Sequence, residues 1–112
     1  LLGAYLGGAD LTGANLCGAR LVQADLRRAI LTGALLRGAR LNGANLAGVD
    51  LRAADFTQVE FEQFESIAGA DFTLAQGLTD EQRSRLLSQP EPQLETIHPL
   101  TLRTTRESLT AS

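Results

Sequence analysis

His98 is the single histidine and Cys17 the single cysteine among the 112 residues. These two residue types carry most nucleophilic and general acid–base chemistry, so a search for a reactive centre starts with them. A Cys–His or Ser–His–Asp arrangement needs an imidazole held rigidly beside its nucleophile. His98 stands before Pro99 in a polar C-terminal stretch, where a solvated side chain is expected rather than a positioned base. One His and one Cys cannot complete a usual zinc site. A lone cysteine closes no intrachain disulfide, so compartment is not legible from it. The glycines fall into no phosphate-cradling arrangement, neither G-x-x-x-x-G-K-[ST] nor a strand-flanked G-x-G-x-x-G. Recurrent Asp and Asn raise calcium as a ligand, but the calcium-binding nonapeptide repeat has a different period and paired glycines. Local bonding to the backbone accounts for them better. The residues therefore predict no catalytic residue, no cofactor and no metal.

The elements that must position any site follow from one regularity. Leu recurs every five residues, at 1, 6, 11, 16, 21, 26, 31, 36, 41, 46 and 51, and Phe56 and Phe61 continue the series. Two residues before each sits Ala4, Ala9, Ala14, Ala19, Ala24, Ala29, Ala34, Ala39 or Ala44, then Val49, Ala54 and Val59. Gly often stands two residues after the central residue, as at Gly8, Gly13, Gly33 and Gly48, and Asp or Asn often precedes it, as at Asp10, Asn15, Asp25 and Asn45. An α-helix turns about 100° per residue, so a step of five winds the Leu around its axis. A straight strand has period two, so an odd step sends successive Leu to opposite faces. Neither regular element buries this pattern. A chain that turns a corner at each pentad, and stacks coil on coil, points every Leu inward.

The units Ala9-Asp10-Leu11-Thr12-Gly13, Ala14-Asn15-Leu16-Cys17-Gly18 and Ala44-Asn45-Leu46-Ala47-Gly48 resemble the A(D/N)LXX units of the pentapeptide-repeat family, which is abundant in cyanobacteria. The resemblance covers residues 1–77. It implies an all-β fold, a right-handed quadrilateral β-helix with four pentads, about twenty residues, per coil.

The frame loosens after Phe61. Phe64 takes an Ala slot and Ser66 a Leu slot, and Ala70-Asp71-Phe72 resumes one residue late. An extra residue is expected within Ser66–Gly69, as a bulge at a corner. Phe56, Phe61, Phe64 and Phe72 crowd this end and are suited to closing the tube. Thr79 as N-cap with Gln82 three residues on, and Asp80 and Glu81 in the first turn, predicts a capping helix within 78–89, stopped by Pro90 and Pro92. Residues 90–112 are polar, with Leu94, Ile97, Leu100 and Leu102 as sparse anchors. They are expected to be disordered unless docked on the tube, on a further helix or on a partner.

Composition limits the functions on offer. The net charge is -3, with ten Arg and no Lys, which argues against a broad nucleic-acid-binding surface. No apolar run approaches the roughly 20 residues needed to span a bilayer. No Met is present, so the chain is expected to begin after processing or truncation, with any targeting segment lost from view. The compartment stays open: cytoplasm is favoured, with thylakoid lumen or periplasm available if a targeting segment has been removed.

Folded into twenty-residue coils, the residues before each central Leu form four columns: Tyr5, Asp25, Asn45, Glu65; Asp10, Ile30, Asp50; Asn15, Leu35, Asp55; and Arg20, Arg40, Glu60. Ile30 and Leu35 occupy slots that are otherwise polar, and Arg20, Arg27, Arg28, Arg37 and Arg40 crowd the same coils. Apolar residues ringed by Arg fit the composition of protein interfaces. These seven residues are the candidate partner-binding site of a non-catalytic interaction or scaffold module, alone or within a multi-subunit complex. The end at Leu1 and Leu2 is a competing site, suited to a second copy. The alternative is DNA mimicry toward DNA gyrase or topoisomerase, known for some proteins of the family. Eight acidic residues against six Arg in residues 1–77 leave a net charge of only -2, which is weak for a mimic of a duplex.

Overall fold

The computed structural model describes residues 4–110. Parallel pairing joins Tyr5 to Asp25 and Asp25 to Asn45, Asp10 to Ile30 and Ile30 to Asp50, Asn15 to Leu35 and Leu35 to Asp55, and Arg20 to Arg40 and Arg40 to Glu60. Each step is twenty residues, so one coil is four pentads and the tube has four columns. Each column is stitched in both directions: Leu6 N–H donates to the Asp25 carbonyl at 2.8 Å and Asp25 N–H to the Ala4 carbonyl at 2.8 Å. Every inner coil is thus paired above and below, which satisfies backbone groups that a buried chain cannot leave bare.

The corners are four-residue turns. Ala9 N–H closes on the Leu6 carbonyl at 3.1 Å, and Ala34 N–H on that of Leu31 at 3.0 Å. The second residue after the central one has positive φ, as at Gly33 (φ 67), whereas the first does not, which is the type II form. Gly suits that slot. Gln23, Arg28, Ala53, Gln58 and Leu74 are nonetheless held there, at φ 58 to 62. Asp and Asn tie the same corners from the outside: Asp10 Oδ1 accepts from Thr12 N–H at 3.1 Å, and Asn45 Oδ1 from Ala47 N–H at 3.0 Å. That is why the polar residue precedes the Leu by one.

Leu21 through Leu51, the small Ala24 to Ala54, and then Phe56, Phe61, Phe64, Ile67 and Phe72 form one continuous buried core. The extra residue lies earlier than expected. Leu41 N–H still meets Glu60, in the old register, but Leu46 N–H meets Ser66 and Asn45 pairs with Ser66 instead of Glu65. Between them Asn42 Oδ1 accepts from both Glu62 and Gln63 N–H, at 3.2 Å each. The insertion therefore falls between Phe61 and Ser66, not within Ser66–Gly69. The physical reason is Ile67: shifting the frame before it places this fully buried side chain in the Leu slot and sends Ser66 outward. Asp71 and Gln76 then stack under Asp50 and Asp55.

Gly77 releases the chain from the tube. Its φ is +82, and a Cβ there would lie 2.5 Å from Thr57 N, so only glycine passes so close to the coil above. Helix α1 (Asp80–Leu87) follows. Thr79 and Gln82 form a reciprocal capping box, and Ser88 is the C-cap. Two short helices come after it, α2 (Glu91–Leu94) and α3 (Thr105–Thr110), joined through a hairpin in which Ile97 pairs antiparallel with Thr104.

These segments also answer the bare backbone of the last coil. Gln82 Nε2 donates to the Val59 carbonyl at 2.9 Å and Arg85 Nη1 to that of Phe61 at 3.2 Å. Thr105 Oγ1 donates to the Ile67 carbonyl at 3.1 Å, and Gln93 Oε1 accepts from Ile67 N–H at 3.0 Å. The tail expected to lack structure unless docked is docked on its own tube as far as residue 110. Of the expected anchors only Leu94 serves, joined by Leu109. Leu94 and Leu109 are buried in the core, whereas Ile97, Leu100 and Leu102 are exposed. Leu109 lies on α3, a helix too short to leave a periodic signal in the sequence.

Candidate interaction surface

Ile30 lies half-buried between Asp10 and Asp50 in its column. Leu35, on the neighbouring side, is 41% exposed between Asn15 and Asp55. The five Arg are all exposed. Arg27 and Arg28 occupy the corner between the Asp25 and Ile30 sides, Arg37 the corner after Leu36, and Arg20 and Arg40 stack on the remaining side. The seven residues thus run around two adjoining coils.

Three of the Arg are engaged within the tube. Arg27 meets Asp25 through Nε–Oδ1 at 3.0 Å and Nη2–Oδ2 at 2.8 Å. Arg37 Nε lies 3.4 Å from Asp55 Oδ2, and Arg40 Nε 3.4 Å from Glu60 Oε2. Arg20 and Arg28 make no such pair among the described residues. Asp25 is held below the usual carboxylate range by hydrogen bonds from the Arg27 side chain and backbone, and Asp55 by those of Thr57, with Arg37 adding to them. Asp50 is 3% exposed. Burial pushes its carboxyl up, but the Arg52 guanidinium at 2.7 Å and the Arg52 amide outweigh that and leave it lowered.

A groove of about 830 Å³ follows the corner beside Arg27 and Arg28 down the tube, past Ala47-Gly48 and Ala68-Gly69 to Ile97 and Pro99 of the tail. The small corner residues leave it open. Tyr5, 75% exposed, stands at its upper end. A second groove, of about 560 Å³, lies between α1 and the Arg40–Glu60 pair. Leu74, Leu100 and Leu102 are exposed apolar residues that the sequence reading did not single out as surface. Leu74 sits in a glycine slot, a signal that could have marked it as turned outward.

The two reactive residue types are not brought together. Cys17 is exposed on a turn of the first described coil, and His98 sits in the tail against the last. His98 is buried at 3% exposure, not solvated as its neighbours in sequence suggest, because the hairpin folds around its ring. Among the described residues no group of three or more His, Cys, Asp or Glu is placed to hold a metal ion, and no helix is long and apolar enough to cross a membrane. Leu1 and Leu2, the competing end site, lie outside the described residues.

The family description "Pentapeptide repeats" matches the chain in eight copies, across residues 1–33 and 29–63. The chain belongs to the pentapeptide-repeat family. Members of this family are generally non-catalytic interaction or structural modules. Among solved structures, a pentapeptide repeat protein from the Arabidopsis thaliana thylakoid lumen matches at 29% identity, over 93% of this chain and 89% of that one, with a TM-score of 0.40. A comparison with curated proteins found no match.

Proposed function

We propose that this pentapeptide-repeat protein is a non-catalytic interaction module whose contact surface centres on Ile30 and Leu35. Of the described residues, 4–77 make up the right-handed, four-sided scaffold in this reading, 78–89 its cap and 90–110 a tail. The observation that carries the reading is Leu35. It is 41% exposed in a column otherwise filled by Asn15, Asp55 and Gln76. It adds nothing to the core, since Leu31 and Leu36 already point inward. Arg20 and Arg28, without carboxylate partners among the described residues, and Arg27, Arg37 and Arg40, with exposed guanidiniums, can pair with carboxylates or lie flat on apolar and aromatic groups. The fitting partner is an acidic protein surface with an apolar centre, free or within a multi-subunit complex.

The test is the double change Ile30→Asn and Leu35→Asn, which extends the Asn and Asp columns without adding charge. Surface substitutions of this kind stay within about 1 kcal/mol of the parent, so thermal unfolding should hardly move while co-purification with the native partner is lost. Unaltered partner recovery would remove this surface from consideration.

A further inference from the structure

The tail hairpin is held shut by an imidazole that can do so in one protonation state only. His98 is 3% exposed, and its Nδ1 accepts from Leu100 N–H at 3.1 Å and from Thr101 N–H at 3.3 Å. A ring nitrogen that accepts carries no proton, so the hydrogen of the neutral ring is on Nε2. His98 N–H also donates to the Arg103 carbonyl, and Leu102 N–H to that of His98, both at 2.9 Å. The closed hairpin brings Arg103 Nη1 within 3.2 Å of Asp71 Oδ2 and hydrogen-bonds the same carboxylate through Thr101. Asp71 is fully buried.

We propose that His98 is a proton-operated latch: a proton on Nδ1 opens the 97–104 hairpin and frees the tail from the edge of the last coil. A protonated Nδ1 is a donor, and here it would face two N–H donors. Both acceptor contacts are lost, and the Leu100 and Thr101 amides lose the ring nitrogen that closes the turn over the buried imidazole. The charged groups around the hairpin offer the imidazolium no compensation. Asp71 is committed to Arg103, Thr101 and Thr73; Glu95 pairs with Arg106 at 2.6 Å; Glu107 accepts from Thr104. Arg27 and Arg28 share the groove with Ile97 and Pro99 and add like charge. No described carboxylate hydrogen-bonds the ring.

The sign follows from linkage. The imidazolium and the closed hairpin exclude each other, so docking is favoured at neutral pH and lost as the ring takes up a proton in mild acid. Asp71 does not open the hairpin first. Burial pushes its carboxyl up, but bonds from Thr101 and Thr73 and the Arg103 charge hold it below the usual range, so it stays ionised there. Release uncovers the Ile67 and Ala70 carbonyls, unpaired acceptors on a strand edge able to take up another chain. The latch does not depend on the surface around Ile30 and Leu35.

The experiment is amide exchange on the full chain, expressed as protection factors, at about pH 7.5 and about pH 5.0, either side of the imidazole range. Protection of Leu100, Leu102 and Thr105 should fall about tenfold or more in acid, while that of Leu31 and Leu36 in the tube stays unchanged. His98→Asn presents an amide oxygen where Nδ1 was and has no proton to gain, so its tail should stay protected at both values. Equal protection of the wild-type tail at both values overturns the latch, as does a pH dependence that survives in His98→Asn. If that variant does not dock at neutral pH, the wild type still decides. Nuclear magnetic resonance titration of the His98 ring and loss of the hairpin amides must share one midpoint, and separate midpoints refute the proposal.

Discussion

Leu31, 1% exposed, lies in the column of centres between Leu11 and Leu51, closed in by Ala29 and Ala34 on its own coil. Ala in those slots leaves no long side chain to swing into a gap, so truncation at Leu31 leaves a cavity that cannot collapse. Leu31→Ala should cost about 2–5 kcal/mol, toward the upper part of that range. Urea unfolding of the two proteins checks it, and a loss below about 1 kcal/mol would mean that the tube repacks freely. The corner residues behave differently. Arg28 and Ala53 sit at positive φ with side chains facing solvent, so they carry backbone strain but little packing. The same fact explains why the Gly slot tolerates other residues at Gln23, Arg28, Ala53, Gln58 and Leu74, whereas Gly77, pressed against Thr57, does not.

At the scale of elements, α1 and the tail act as the missing next coil. They bury Leu86, Leu94 and Leu109 against the core and supply side-chain partners for Val59, Phe61, Ile67 and Ala70. A chain cut after residue 77 exposes Phe72, which is 2% exposed when covered, together with an unpaired edge. Such edges template pairing with other chains. The truncated protein should form concentration-dependent aggregates by light scattering and melt earlier; a monomer of parental stability would show that the last coil needs no cover. The capping box at Thr79 and Gln82 was legible in the sequence because it is a local pattern. The pairing of Gln82, Arg85 and Gln93 with the tube was not, since each spans more than twenty residues.

Considered whole, the described part measures 29 × 27 × 22 Å, a short block and not a rod, and with the weak net charge this gives duplex mimicry no support. Its acid response is set by the corner carboxylates. Asp10, Asp25, Asp50, Asp55 and Asp71 all sit below the usual range, through Thr or Arg hydrogen bonds that at Asp50 and Asp71 outweigh burial. A lowered folded value means that the folded state binds fewer protons than the unfolded one. The stability they contribute is present above the unfolded value of about 3.9 and lost as pH falls through the lowered ones. The urea midpoint should therefore drop steeply below about pH 4, and Asp71→Asn should flatten that drop; an unchanged slope would show that Asp71 takes no part. The five-residue period by itself determined the inward Leu and the outward slots of Ile30 and Leu35, because a strict repeat makes every coil report the same geometry; the twenty-residue register came from the family resemblance. Only the tertiary structure decided where the extra residue goes, that the polar tail docks, and that His98 is buried. Those outcomes depend on contacts between residues far apart in the chain, such as Thr105 with Ile67 and Arg103 with Asp71, and no local spacing encodes them.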